Sequence, residues 1–225
     1  MDMQKTTKKI NLNQLVITAL LSALAYLSLF VTPIHVANFL TLDMKDAIMT
    51  IGALLYGPVT GAAMALITST LELVTISGTG FYGWIMNFVS SAVFCCAAGI
   101  IYKYRRSMSG AVIGLSVSVV SMTAVMMVMN LLITPLYTGM PRSAIVDMIP
   151  TLLLPFNLLK GILNAGIALL LYKPLSTALH KTNLSATNVQ NHKPQSLKNT
   201  IIVTLAAVVL IVASVLLLLW LSAQH

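Results

Sequence analysis

Apolar positions in this chain come in long runs rather than in alternation, and polar residues gather in the breaks between the runs. A helix needs about 20 predominantly apolar residues to cross the hydrocarbon core of a bilayer. The first such run covers roughly residues 12 to 32 and stops at Pro33. A polar segment, "HVANFLTLDMKD", follows with Asp43, Lys45 and Asp46, and then a short apolar stretch from Ala47 to Tyr56 is cut by Gly57-Pro58. About ten helical residues reach only about 15 Å, so this second span is short or begins inside a protein-lined cavity. Asp43 and Asp46 are candidates to cap its start, since Asp is a favoured N-cap residue.

The third run is Val59 to Ile76, after which the glycine-rich and aromatic "SGTGFYG" reads as a loop. The fourth is Trp84 to Tyr102, stopping at the basic "KYRR"; the fifth is Gly110 to Thr134, ending at Pro135. The sixth begins near Pro150 or Pro155 and ends at Tyr172-Lys173-Pro174. The expected organisation is a six-helix membrane domain at 1–175, a polar cytoplasmic linker at 176–200, and an additional transmembrane helix at 201–221. The fold class is therefore all-α, a polytopic membrane bundle.

Composition strengthens that reading. Of 225 residues, 58% are hydrophobic and only 8% charged, a balance that a soluble domain of this size does not carry. A net charge of +8 raises the question of nucleic acid, but the basic residues sit in short clusters between apolar runs, the pattern that orients membrane spans. With the N-terminus inside, Lys5, Lys8, Lys9, Lys103, Arg105, Arg106, Lys173, Lys181, Lys193 and Lys198 are cytoplasmic, against Lys45 and Arg142 outside. The basic start before the first run has the outline of a signal peptide. Its length, the lack of a small-x-small cleavage site following the run and the spans that come after read instead as a retained first helix in a multi-pass cell-membrane protein. Cys95 and Cys96 are adjacent in an apolar run, with no ligand spacing around them, and read as small core residues.

Against this background Lys160 stands out. A lysine at mid-helix costs about 2.5–3.5 kcal/mol on insertion scales and faces a bundle interior or a cavity when it is retained. Asn157, Lys160 and Asn164 are spaced i, i+3, i+7, so one helix face carries all three. Their amide and ammonium groups suit the carbonyl and imide edge of a planar heterocycle, or an anionic group. The other reading is that Lys160 snorkels to the headgroups while the asparagines bridge helices. Asn130 is open in the same way, and the methionines Met122, Met126, Met127 and Met129 around it read as adaptable core. Trp84, Tyr82 and Tyr137 suit interfacial aromatics, and Glu72 is either near an interface or turned into the same cavity.

Catalytic signals do not compete. No G-x-x-x-x-G-K-[ST] or H-E-x-x-H motif occurs, the four histidines are scattered, and the carboxylates are few and dispersed. An intramembrane enzyme using Asp43, Asp46, Glu72 and Lys160, or a membrane protein with no ligand, remains as an alternative class.

"FLTLDMKDAIMTIGALLYGPVTG", "MNFVSSAVFCCAAGIIYKYRR", "MNLLITPLY" and "LPFNLLKGI", in this order, resemble the riboflavin-specific S component of energy-coupling factor (ECF) transporters over residues 12 to 175. The resemblance implies a six-helix bundle that binds its vitamin at the outer side. It implies no enzymatic activity and no cofactor, with riboflavin as transported ligand. The partners implied are a transmembrane subunit and two cytoplasmic ATPases, and a sibling reading keeps the mechanism but changes the vitamin. Carried over to this chain, Asn130, Asn157 and Lys160 hold the isoalloxazine ring, and the loop around Thr41, Leu42 and Asp43 covers it. Trp84, Asn87 and Tyr137 complete the candidate substrate-binding set. An Ala-x-x-x-Ala pattern at Ala19 and Ala23 matches the family's docking site for the transmembrane partner. The chain departs from the family at Thr68-Ser69, where members often carry Lys-Asn, and in the added span at 201–221.

Overall fold

The apolar runs fold as helices in a computed structural model of the chain, which describes residues 12–31, 34–37, 39–181, 207–209, 211–214 and 216–217. The order is α1 (Leu12–Val31), a hairpin of β1 (Ile34–Ala37) and β2 (Leu40–Leu42), α2 (Lys45–Tyr56), α3 (Pro58–Thr75), α4 (Gly80–Tyr104), α5 (Met108–Thr138), α6 (Arg142–Met148), a π-helical turn (Ile149–Leu153) and α7 (Leu154–Lys181). Among the described residues, five stretches are long and apolar enough to cross a membrane: α1, α3, α4, α5 and the continuous run Arg142–Tyr172.

The second span is α2, and it is the centre of the bundle. Its twelve residues rise about 18 Å, too little to cross a bilayer, and α1, α3, α4 and α7 all pack on it. Lys45, Asp46, Ala47, Met49, Thr50, Ile51, Gly52, Ala53 and Leu54 are all buried. A short helix with nine buried residues has a protein environment in place of lipid. Gly57 makes this possible at the far end: at φ 100° it closes α2, and Pro58 opens α3 at a position whose N–H needs no partner. The fourth helix crosses this joint at Gly99, where an added Cβ would lie 3.0 Å from Pro58 Cα and 3.2 Å from the Ala53 carbonyl oxygen.

Several boundaries differ from those expected. Residues 34–42 pair as an antiparallel hairpin, with Ile34 opposite Leu42, His35 opposite Thr41, and a bulge before Ala37 opposite Leu40. Helix α4 begins at Gly80, inside the expected glycine-rich loop, because Gly80 accepts φ 59° at the turn. Proline does not end α5: the helix passes Pro135 to Thr138 and stops at Gly139 in a left-handed cap. Pro135 sits in the last turn, where one lost backbone bond is tolerated beside side-chain hydrogen bonds such as Thr134 Oγ1 to Asn130 Oδ1. The sixth span starts earlier, at Arg142, because Pro150 and Pro155 each fall in the first turn of a new segment. It also runs past Pro174 to Lys181, so residues 176–181 of the expected linker are helical. The rest of that linker lies outside the described residues.

The described part of the last apolar run is helical and packs on α7. Gly166 permits this approach: an added Cβ would meet Ile211 Cγ1 at 2.9 Å and the Ala207 carbonyl oxygen at 3.3 Å. Three apolar clusters hold the bundle: Phe94, Leu115 and Met122 between α4, α5 and α7; Leu42, Ile145 and Phe156 under the hairpin; and Ile17, Met49, Met64 and Cys95 around α2. Cys95 is buried beside Thr50 Oγ1 at 3.4 Å, as befits a core thiol.

Gly99→Leu is expected to lower the thermal unfolding midpoint in detergent, since overpacking against backbone costs about 1–3 kcal/mol. An unchanged midpoint would mean that α4 does not bear on the α2–α3 joint.

Candidate functional site

The site is built outward from Asn164. The N-cap of α2 is Met44, whose side chain makes no capping bond, so neither Asp43 nor Asp46 caps the helix as expected. The missing acceptor comes from α7: Asn164 Oδ1 accepts the Ala47 N–H at 2.8 Å. The same amide donates to the carbonyl oxygens of Asp43 at 2.9 Å and of Lys160 at 3.0 Å. Each buried backbone group left without a partner costs about 1–3 kcal/mol. One asparagine thus fixes the start of α2 against the middle of α7.

That contact brings five charged side chains together. Lys160 Nζ donates to Asp43 Oδ2 at 2.9 Å and stands 4.0 Å from Asp46 Oδ2. Lys45 Nζ pairs with Glu72 Oε2 of α3 at 2.5 Å and lies 3.9 Å from Asp43 Oδ2. Asn87 of α4 donates to Glu72 Oε1 at 2.8 Å, and Ser91 donates to Asp46 Oδ1 at 2.5 Å. The network runs from α7 through the hairpin–α2 junction to α3 and α4. A buried charge is tolerated only with such partners. Lys160 therefore does not snorkel; it is buried and paired. Lys45, placed outside on the charge count, is fully buried as well.

Above the network, at the hairpin end of the bundle, opens a cavity of about 500 Å³. Asn130, Asn157, Lys160, Thr41, Asp43, Asn87 and Tyr137 all line it. Leu42 and Trp84 do not. Leu42 points the other way along β2, into the apolar cluster under the hairpin. Trp84 hydrogen-bonds Thr70 Oγ1 of α3 at 3.2 Å and stacks on Phe81 and Phe88, off the cavity-lining face of α4. Thr68 and Ser69 are buried but lie off the cavity wall. Ala19 and Ala23 are exposed on the outer face of α1.

Glu72, Phe39, Ser90 and Phe156 also line the cavity and were not singled out as binding residues. A signal for part of this was present: Gly83, Asn87 and Ser90 fall at i, i+4, i+7 on one face of α4. Phe39 meets Tyr137 edge to face with centroids 6.4 Å apart, and Tyr137 stacks on Tyr82 at 6.2 Å. The hairpin is thus tied by aromatic contacts to the end of α5.

The chemistry of the wall is that of a binder. Asn157 Nδ2 donates to the Leu153 carbonyl at 2.8 Å and Asn130 Nδ2 to the Met126 carbonyl at 2.7 Å, so each amide is oriented by its own helix. An amide has two donors and an acceptor, and an ammonium has three donors, which leaves capacity on all three side chains for a polar ligand edge. Among the described residues, no group of three His, Cys, Asp or Glu is placed to hold a metal ion.

Fold and cavity together define a helical membrane protein that holds one small, partly polar ligand near one end of its bundle. The family profile described as "ECF transporter, substrate-specific component" matches residues 13–176, and the chain belongs to that family. It is 31% identical over 185 residues to the riboflavin transporter RibU of Staphylococcus aureus (strain TCH60), covering 77% of this chain and 97% of that protein. It is 27% identical over 171 residues to the riboflavin transporter FmnP of Bacillus subtilis (strain 168), covering 71% and 90%. A solved structure described as the S component of a bacterial ECF transporter superimposes with a TM-score of 0.65 at 32% identity, covering 74% of this chain and 96% of that one. The family is one of transport components, so the intramembrane-enzyme alternative is set aside.

Lys160→Met alone is expected to lower stability by about 3 kcal/mol, because it strips Asp43 of its closest cation. Lys160→Met combined with Asp43→Asn is expected to recover most of that loss in thermal unfolding. A single variant as stable as the wild type would contradict the pairing described.

Proposed function

We propose that this chain is the riboflavin-binding subunit of an ECF importer. Relatives named as riboflavin transporters support the ligand. The observation that carries the reading is the meeting of Asn130 from α5 with Asn157 and Lys160 from α7 on one wall of the cavity. The carbonyl and imide edge of an isoalloxazine ring presents acceptors and one donor, which two amides and an ammonium match. Phe39, Tyr137 and Phe156 supply aromatic surface for the ring faces, and the volume falls within the range of about 300–1,000 Å³ usual for small-molecule sites.

In this reading the hairpin end is extracellular and the N-terminus cytoplasmic, in keeping with the basic clusters around Lys103, Arg105 and Arg106 at the opposite end of α4. The chain has no nucleotide-binding motif of its own, so the energy for import comes from partners, a transmembrane subunit and two ATPases. Ala19 and Ala23, exposed on α1 at i, i+4, are the surface proposed for the transmembrane subunit. Residues 1–175 are assigned as the vitamin-binding domain, and the apolar run at 201–221, whose described residues lie beside α7, as an addition to it.

The purified protein is expected to quench riboflavin fluorescence, with recovery on denaturation. Asn157→Ala, which removes no bond of the ion network, is expected to weaken binding by about tenfold or more, near the 1.4 kcal/mol of one well-placed hydrogen bond, without shifting the unfolding midpoint. A protein that neither carries nor quenches riboflavin would overturn the proposal. Leucine at Ala19 and Ala23 is expected to abolish co-purification with the transmembrane partner while riboflavin binding persists.

A further inference from the structure

The cavity wall is uneven in charge. Among the described residues that line it, the charged side chains are Asp43, Glu72 and Lys160. Lys160 is matched by Asp43 at 2.9 Å. Glu72 has its cation behind it: Lys45 pairs with it at 2.5 Å but is fully buried and off the wall, while the Glu72 side chain keeps 16% of its exposure. The whole cluster holds the carboxylates Asp43, Asp46 and Glu72 against the ammoniums Lys45 and Lys160, an excess of one negative charge.

Around Glu72 the wall offers hydroxyl and amide groups, from Ser77, Thr79, Asn87 and Ser90. These suit a chain of hydroxyls, which both donate and accept. They do not suit a phosphate ester, which carries about −1.5 to −2 charge at neutral pH and is held by arginine or lysine. One feature favours an anion: α4 starts at Gly80 with Thr79 on the wall, and a helix N-terminus presents about half a positive charge. That partial charge falls off within one turn, whereas Glu72 bears a full negative charge.

We infer that Glu72 is a specificity-determining residue, whose carboxylate favours the uncharged hydroxylated tail of riboflavin over the same tail bearing a 5′-phosphate. The inference rests on the flavin reading above. It concerns the end of the cavity formed by α3 and α4, away from the amide face of α5 and α7.

The test is fluorescence-quenching titration of the full-length protein with riboflavin and with flavin mononucleotide. The wild type is expected to prefer riboflavin by at least about tenfold. Glu72→Gln keeps one acceptor oxygen for Lys45 Nζ, Asn87 turns its amide oxygen to accept from the new Nε2, and Lys45 retains Asp43 at 3.9 Å, so the cluster stays paired and becomes charge-balanced. This variant is expected to bind flavin mononucleotide more tightly than the wild type and to shrink the preference at least about fivefold. Glu72→Asp, which keeps the charge, is expected to retain the preference. A measurement on the wild type alone adds a second check: the preference is expected to narrow as pH falls through about 6, where the phosphate loses its second charge. Equal affinity for the two flavins in the wild type, an unchanged preference in Glu72→Gln, or a preference indifferent to pH would each overturn the inference while leaving riboflavin binding intact. Failure of the wild type to bind either flavin would overturn the flavin reading and this inference with it.

Discussion

A lysine held in the middle of a membrane bundle needs a counter-charge within reach, and most of this structure follows from how Lys160 obtains one. Asp43 supplies it at 2.9 Å, from the junction between the hairpin and α2. That junction reaches the middle of α7 because α2 is short and starts deep, and Asn164 holds it there through two hydrogen bonds to its backbone, at Ala47 and Asp43. The charge pair and the asparagine act together. Without Asn164 the start of α2 would have no cap, and without Asp43 the ammonium would keep only the more distant Asp46, at 4.0 Å.

The cavity is a consequence of the same arrangement. A helix that begins halfway into the bundle leaves a space above its first turn, roofed by the hairpin and walled by α3, α4, α5 and α7. The floor is the ion network, so it is rigid and polar, while the roof is held by the aromatic chain Phe39–Tyr137–Tyr82. Lys160 anchors Asp43, and on the proposed reading it has a second duty, offering its remaining donors to a ligand. Substitution of Lys160 cannot separate these duties, whereas Asn157, tied only to its own helix by the Leu153 carbonyl, reports on the ligand edge alone.

The helices were legible in the sequence because each long span repeats one signal, an apolar run broken by charge or by Gly-Pro. The stripe Asn157, Lys160, Asn164 was legible as one face from spacing. Its division of labour was not, since periodicity carries no information on what faces α7, and Asn164 proved to cap a helix more than a hundred residues away in sequence. The hairpin was missed because its strands are short and irregular in register, and the alternation of buried Leu40 and Leu42 about Thr41 spans only three residues. Pro135, Pro150 and Pro155 misplaced boundaries because a proline in a first or last turn costs little. Lys45 and Glu72, at opposite ends of separate spans in the sequence, gave no hint of pairing; only the short, deep α2 brings them together.

On the proposed reading the Lys160–Asp43 pair is part of the binding site and stays formed when ligand is held. A structure of the protein with riboflavin bound tests this most directly. The pyrimidine edge of the ring is expected within hydrogen-bonding distance of Asn157 and Lys160, with Lys160 still on Asp43. A flavin seated elsewhere, such as the apolar groove of Leu21, Leu24, Ile48 and Leu171, or a Lys160 released from Asp43 to reach the ligand, would contradict it.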